Sequence, residues 1–146
     1  MRVGFLNNQI DNRGTGNALY DYAHYNEEIL GNESLIFVLR QGNFDEAMGA
    51  KLSRRFTNIY TTWDLVTRNF ELDVLYHIKS GENDPSSLDI PNTRYAIHAV
   101  FNANNPHGDR YATISRWMGE RYKVPYVPHI VRLGYPTANI RKQFNI

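Results

Sequence analysis

Apolar residues in this chain fall into short dense runs separated by longer amphipathic stretches. Residues 2–6 form one such run, ending at Asn7-Asn8, and read as a strand. Residues 17–30 carry Ala18, Leu19, Tyr22, Ala23, Ile29 and Leu30 at helical spacing, with Asp21, His24, Glu27 and Glu28 on the other face. Gly31 stands where a helix stop is expected. Residues 34–39 (Ser-Leu-Ile-Phe-Val-Leu) read as a strand buried on both faces. A weaker helix over 44–56 is interrupted by Gly49, and a short strand at 58–61 precedes a short helix at 63–70. Strands follow at 74–78 and 94–101, separated by a polar segment at 80–92 rich in Ser, Asn, Asp and Pro. Residues 102–110 read as a loop, 115–122 as a helix, 126–131 as a last strand and 137–144 as the start of another helix.

β-branched runs alternating with helical segments predict βαβ units, hence an α/β domain with a mostly parallel, doubly wound, Rossmann-like sheet. Ligands in such folds bind beyond the carboxyl ends of the strands, where the strand order reverses. That directs attention to residues 7–17, 79–92 and 101–111.

Composition narrows the classes. The chain has 146 residues, 42% of them hydrophobic, which suits one domain with a real core and excludes a disordered chain. A net charge of +1 gives no reason to expect nucleic acid or an anionic membrane as partner. No apolar run reaches the ~18 residues of a membrane span, and the N-terminal run is too short for a signal-peptide core. With no cysteine, disulfides, thiolate metal sites and cysteine nucleophiles are excluded, and a cytoplasmic location is the default expectation. Charge is uneven: residues 1–100 carry nine basic and thirteen acidic side chains, residues 101–146 seven and two. The basic C-terminal third is read either as an ordinary solvated surface or as a face for an anion or a partner domain.

Two segments carry candidate chemistry. The first is Arg13-Gly14-Thr15-Gly16-Asn17, where two glycines precede a helix whose N-terminal N–H groups and dipole favour a phosphate. It is neither the dinucleotide fingerprint nor a Walker loop. The same residues also suit a tight strand-to-helix turn capped by Thr15 or Asn17. The second runs from His98 to Arg110, with His98 at the carboxyl end of a strand and His107-Gly108-Asp109 in the loop beyond it. His98 could contact a sugar hydroxyl or phosphate or exchange a proton near neutral pH. Equally, it could be a buried histidine satisfied by backbone, and His107 with Asp109 a hydrogen-bonded turn. His98, His107, Asp109 and His129 include ligand types for a metal but lack helical His-x-x-x-His spacing, so no metal is expected. No Gly-x-Ser-x-Gly elbow is present. The ten tyrosines and two tryptophans read as core or amphipathic surface; Tyr20, Tyr22 and Tyr25 cannot all share one helix face.

Residues 13–27, 29–37, 98–101 (His-Ala-Val-Phe), 106–115 (Pro-His-Gly-Asp-Arg-Tyr-Ala-Thr-Ile-Ser) and 127–131 (Val-Pro-His-Ile-Val) together resemble, in order, the N-terminal half of a GT-B glycosyltransferase of family 4 type, as found in viruses, bacteria and marine metagenomes. The resemblance implies a retaining, metal-free transfer of sugar from a nucleotide sugar to an acceptor, with this domain chiefly on the acceptor side. It implies that Gly14, Thr15 and Gly16 lie near the donor diphosphate and that His98 lies near the transferred sugar as the catalytic residue. Arg13, Asn104, His107, Asp109 and Arg110 become candidate acceptor or cleft contacts.

The family's Glu-x7-Glu motif, which belongs to the donor-holding second domain, has no counterpart here. Residues 139–146 resemble the linker that leads into that domain. The expected organisation is therefore a Rossmann-like domain at 1–136 and the start of a linker or helix at 137–146. A UDP- or GDP-sugar is the expected substrate, held mainly by the second domain in cis or in trans, with no cofactor. The half alone is expected to be inactive, and pairing into a homodimer through its orphaned cleft is a further expectation. The alternative is a non-catalytic module that binds a nucleotide, a sugar phosphate or a protein; a metal-dependent hydrolase using His98, His107 and Asp109 is a minor third.

Overall fold

The computed structural model describes residues 1–8, 10–11, 13–38, 45–83 and 90–129. The expected helix at 137–144, the linker at 137–146 and the end of the strand at 126–131 lie outside them. The first apolar run forms β1 (Arg2–Asn7), followed by α1 (Gly14–Glu28) and β2 (Glu33–Val38). Next come α2 (Glu46–Arg55), β3 (Ile59–Thr61), α3 (Thr62–Thr67) and β4 (Val74–Lys79). The chain continues through β5 (Arg94–Ala99), β6 (Arg110–Thr113) and α4 (Arg116–Tyr122). The strands form one parallel sheet in the order β3-β2-β1-β4-β5-β6, an α/β Rossmann-like domain.

Alternation along the strands sorts the core into two layers. Val3, Phe5, Ile36, Val38 and Ile78 face Ala18, Leu19 and Ala23 of α1 and Met48 and Leu52 of α2. Leu6, Leu35, Phe37 and Leu75 pack on the other face against Leu65 of α3, with Leu72 and Phe70. The central strands are buried on both faces, which is why they read as unbroken apolar runs. A smaller cluster of Ala99, Ala103 and Met118 seats α4 beside β6. Local signals fix the helix starts: Asp45 accepts from the Met48 N–H, and Thr61 with Asp64 forms a reciprocal capping box. Gly31 takes a left-handed φ of 63° just past α1.

Three elements differ from expectation. Helix α1 starts at Gly14, three residues before the expected start at Asn17. Strand β6 lies where a loop was expected at 102–110 and in the unassigned residues beyond it. Four residues are too few for a periodicity, and its register is set by β5, with Ala96 opposite Arg110 and Ala99 opposite Thr113. The strand at 126–131 is, among the described residues, a single parallel bridge between Thr113 and Tyr126.

Candidate functional site

Strand order reverses between β1 and β4, since β1 pairs with β2 on one side and with β4 on the other. A cavity of about 480 Å³ opens there, at the carboxyl ends of the strands. Asn7 and Asn8 line it from the end of β1, and Arg13, Gly14 and Thr15 from the start of α1. Lys79 and Ser80 reach it from β4, Val100 and Phe101 from β5, and Ile114 and His129 close it. Among the described residues that line it, none is a carboxylate.

Local packing brings the start of α1 to this cavity. The Arg13 N–H donates to Asp11 Oδ1 at 3.0 Å, bending the chain into the helix. Gly16 then presses against the Asp11 carbonyl, which a Cβ would overlap. Arg13 is the N-cap residue and makes no side-chain cap bond, and no acidic residue lies in the first turn. The first-turn N–H groups and the positive end of the helix dipole therefore face the cavity without a side chain of this chain's first turn to neutralise them. Thr15 and Asn17 are not caps: both lie inside the helix, and Asn17 Nδ2 donates back to the Arg13 carbonyl at 3.3 Å. The Lys79 side chain is only 2% exposed and is the buried cation of the lining.

His98 lies in an adjoining aromatic cluster rather than on the cavity lining. It is buried, and its Nε2–H donates to the Val127 carbonyl at 2.8 Å. Nδ1 is then the acceptor, 2.6 Å from the Tyr76 hydroxyl that donates to it. Burial holds the imidazole down to about 4, against the opposing pull of the Val127 bond, with nearby His129 adding to the depression. The ring is neutral near pH 7 and both nitrogens are occupied. Burial, and then neighbouring Tyr22, pushes the Tyr76 phenol well above its ordinary range. The His129 ring packs edge-on to His98 with centroids 5.1 Å apart and is lowered by burial. Its Nε2 is buried with no hydrogen-bond partner among the described residues. Tyr22 donates to the Pro128 carbonyl at 2.9 Å. His98 and Tyr22 thus fasten residues 127–129 across the carboxyl end of the sheet, with His129 on the cavity wall.

The loop candidates do not join this cavity. The Tyr95 N–H donates to Asp109 Oδ2 at 2.7 Å and the Asp109 N–H donates to the Tyr95 carbonyl, so Asp109 closes the amino-terminal end of β5. His98 and Asp109 therefore sit toward opposite ends of the same strand. His107 packs on Tyr111 and hydrogen-bonds the Asn105 carbonyl. Arg110 donates to the Asp109 carbonyl, and the Asn104 N–H donates to Asn102 Oδ1; both residues are exposed. Tyr111, whose hydroxyl donates to the Gly81 carbonyl, is pushed up to about 12 by burial and then by Glu82. Among the described residues no three His, Asp or Glu side chains are placed to hold a metal ion, and no helix is long and apolar enough to cross a membrane.

No family model, characterised protein or solved structure matches this chain.

Of the residues singled out in the sequence, the structure brings Arg13, Gly14 and Thr15 to the cavity, with Gly16 directly behind them. Sequence reasoning placed Asn8 and Lys79 in the strand-end segments 7–17 and 79–92 without giving either a role, and weighed His129 only as a metal ligand. Lys79 had a usable signal: a lone cation ends an apolar run, Val-Leu-Tyr-His-Ile-Lys, at the carboxyl end of a strand next to the reversal. Asn8 had none beyond its place after a strand.

Proposed function

We propose that this domain binds the diphosphate of a nucleotide sugar in the cavity at the strand reversal, as the acceptor-side half of a retaining glycosyltransferase. The observation that carries the reading is the lining itself: an uncapped helix start, Arg13 and buried Lys79 converge, and none of the described lining residues is a carboxylate, Asp11, which pairs with Arg13 at 3.4 Å, standing outside the lining. Donors and cations held in a partly dry site stabilise an oxyanion without reorganising, which is what a departing diphosphate requires. The resemblance of residues 13–27, 98–101 and 106–115 to family 4 enzymes supports the sugar-transfer chemistry. In this reading the donor-holding domain is supplied in cis or in trans, and a sugar acceptor shares the cleft. His98 is a positioning residue that holds the Val127 carbonyl and so keeps His129 on the wall. Arg13 serves the phosphate, and Asp109 braces the amino-terminal end of β5, away from the cavity.

A binding module without transfer chemistry is the second reading. It is favoured by one observation, that both His98 nitrogens are already engaged. Thermal unfolding with UDP-glucose and GDP-mannose tests the shared premise. At a ligand concentration of a hundred times Kd the melting temperature is expected to rise by roughly 5–10 °C. Lys79→Met, which keeps the length and removes the charge, is expected to abolish the rise. An unchanged melting temperature with both sugars would overturn the proposal. Release of UDP when a donor-holding domain is added separates a transferase half from a binding module.

A further inference from the structure

His77 is a second buried histidine, on the sheet face opposite His98, only 1% exposed and opposite Leu6 in the β1–β4 register. Its two nitrogens join two polar side chains that are far apart in sequence. Nε2 lies 2.9 Å from Asn8 Oδ1, and Nδ1 lies 2.6 Å from the Tyr95 hydroxyl. An amide oxygen only accepts, so Nε2 carries the proton. Nδ1 then accepts from the Tyr95 O–H. The three groups form one directed chain: Tyr95 donates to His77, and His77 donates to Asn8. Asn8 lines the cavity. With its oxygen engaged from behind, the amide end left to meet a ligand is Nδ2, which only donates.

We infer that Tyr95 and His77 are positioning residues that lock Asn8 as a hydrogen-bond donor for a phosphoryl oxygen of the ligand. This rests on the reading of the cavity as a diphosphate site and makes Asn8 a specificity-determining residue of it. Dipoles aligned in one direction polarise one another, so the relay strengthens the donor it presents. A free asparagine could turn either end to a ligand; a locked one accepts oxyanions and rejects donor groups such as ammonium or amide N–H. The donor class agrees with the rest of the wall, where Arg13 and Lys79 stand and no described lining residue is a carboxylate.

The test is calorimetric titration of the whole chain with UDP, well below its melting temperature. Asn8→Ala is expected to weaken binding about tenfold, and the isosteric Asn8→Asp about a hundredfold, because it places an acceptor and a negative charge where a donor stood. Tyr95→Phe, remote from the ligand, is expected to cost about threefold. It should also shift the His77 ring-nitrogen resonances away from the pattern of a single Nε2–H tautomer. In the wild type the Asn8 side-chain amide resonance should move when UDP is added. Wild-type affinity in Asn8→Ala or Asn8→Asp would overturn the inference. Weakened Asn8 variants with an unaffected Tyr95→Phe would overturn the relay. Failure of the wild-type chain to bind UDP would overturn the diphosphate reading and the inference together.

Discussion

His98 is set apart from a proton-exchanging histidine by what surrounds it. Tyr76, Tyr22 and His129 pack round the ring, and one nitrogen is bonded to a backbone carbonyl. Burial holds the folded-state value at about 4, below the ~6.5 of an unfolded histidine. Between those two values the unfolded chain binds the extra proton, so stability rises with pH across the window. The contribution is complete above about pH 6.5 and is lost as pH falls toward 4, on the order of 3 kcal/mol in all. His129, also lowered by burial, acts in the same direction. Urea unfolding from pH 7 to 4 should show this loss in the wild type and a visibly flatter profile in His98→Gln, which cannot titrate. Equal slopes would show that the ring is not held neutral by the fold. The sequence marks His98 as interesting because it ends a strand. It cannot tell a cavity group from one pinned to Val127, since that partner lies 29 positions away and is met only after the sheet forms.

At the scale of the element, the cavity depends on where α1 begins. Apolar spacing dates the helix from position 17, because only buried positions enter that pattern. The helix in fact starts at Gly14, and its first turn is fixed by packing against the preceding loop. Gly16 allows that contact, lying against the Asp11 carbonyl with no room for a side chain. Gly16→Ala must displace either the loop or the first turn. It is expected to destabilise the domain by about 1–3 kcal/mol and, by moving the Gly14 and Thr15 N–H groups, to weaken UDP binding as well. Denaturant midpoints and titration of the folded fraction separate the two effects; full stability with full affinity would refute the packing argument. The long strands and helices are legible because each carries its own period. Strand β6 is not, because Arg110–Thr113 is a strand only by virtue of pairing with β5.

For the whole molecule, the sheet supplies the reversal and the chain beyond α4 supplies one wall of the cavity. That last segment gains its place through four contacts with three different elements. The Thr113 N–H donates to the Pro125 carbonyl and the Val127 N–H to the Thr113 carbonyl, both on β6. His98 of β5 donates to Val127, and Tyr22 of α1 donates to Pro128. The segment is thus tied to the sheet and to the helix whose start faces the ligand. Tyr22→Phe removes one tie while keeping the ring packed against Tyr76 and His98. Global stability is expected to fall by about 1–2 kcal/mol, since the Tyr22 hydroxyl bonds Tyr76 as well as the Pro128 carbonyl. The Val127 amide, held only by this local arrangement, should exchange with solvent about tenfold faster, while central β1 amides, which open only with the whole sheet, change little beyond the global loss. UDP affinity should fall a few-fold, because His129 is carried on the loosened segment. Unchanged Val127 exchange would mean that α1 does not help hold this wall, and the coupling between helix, segment and cavity would fail with it.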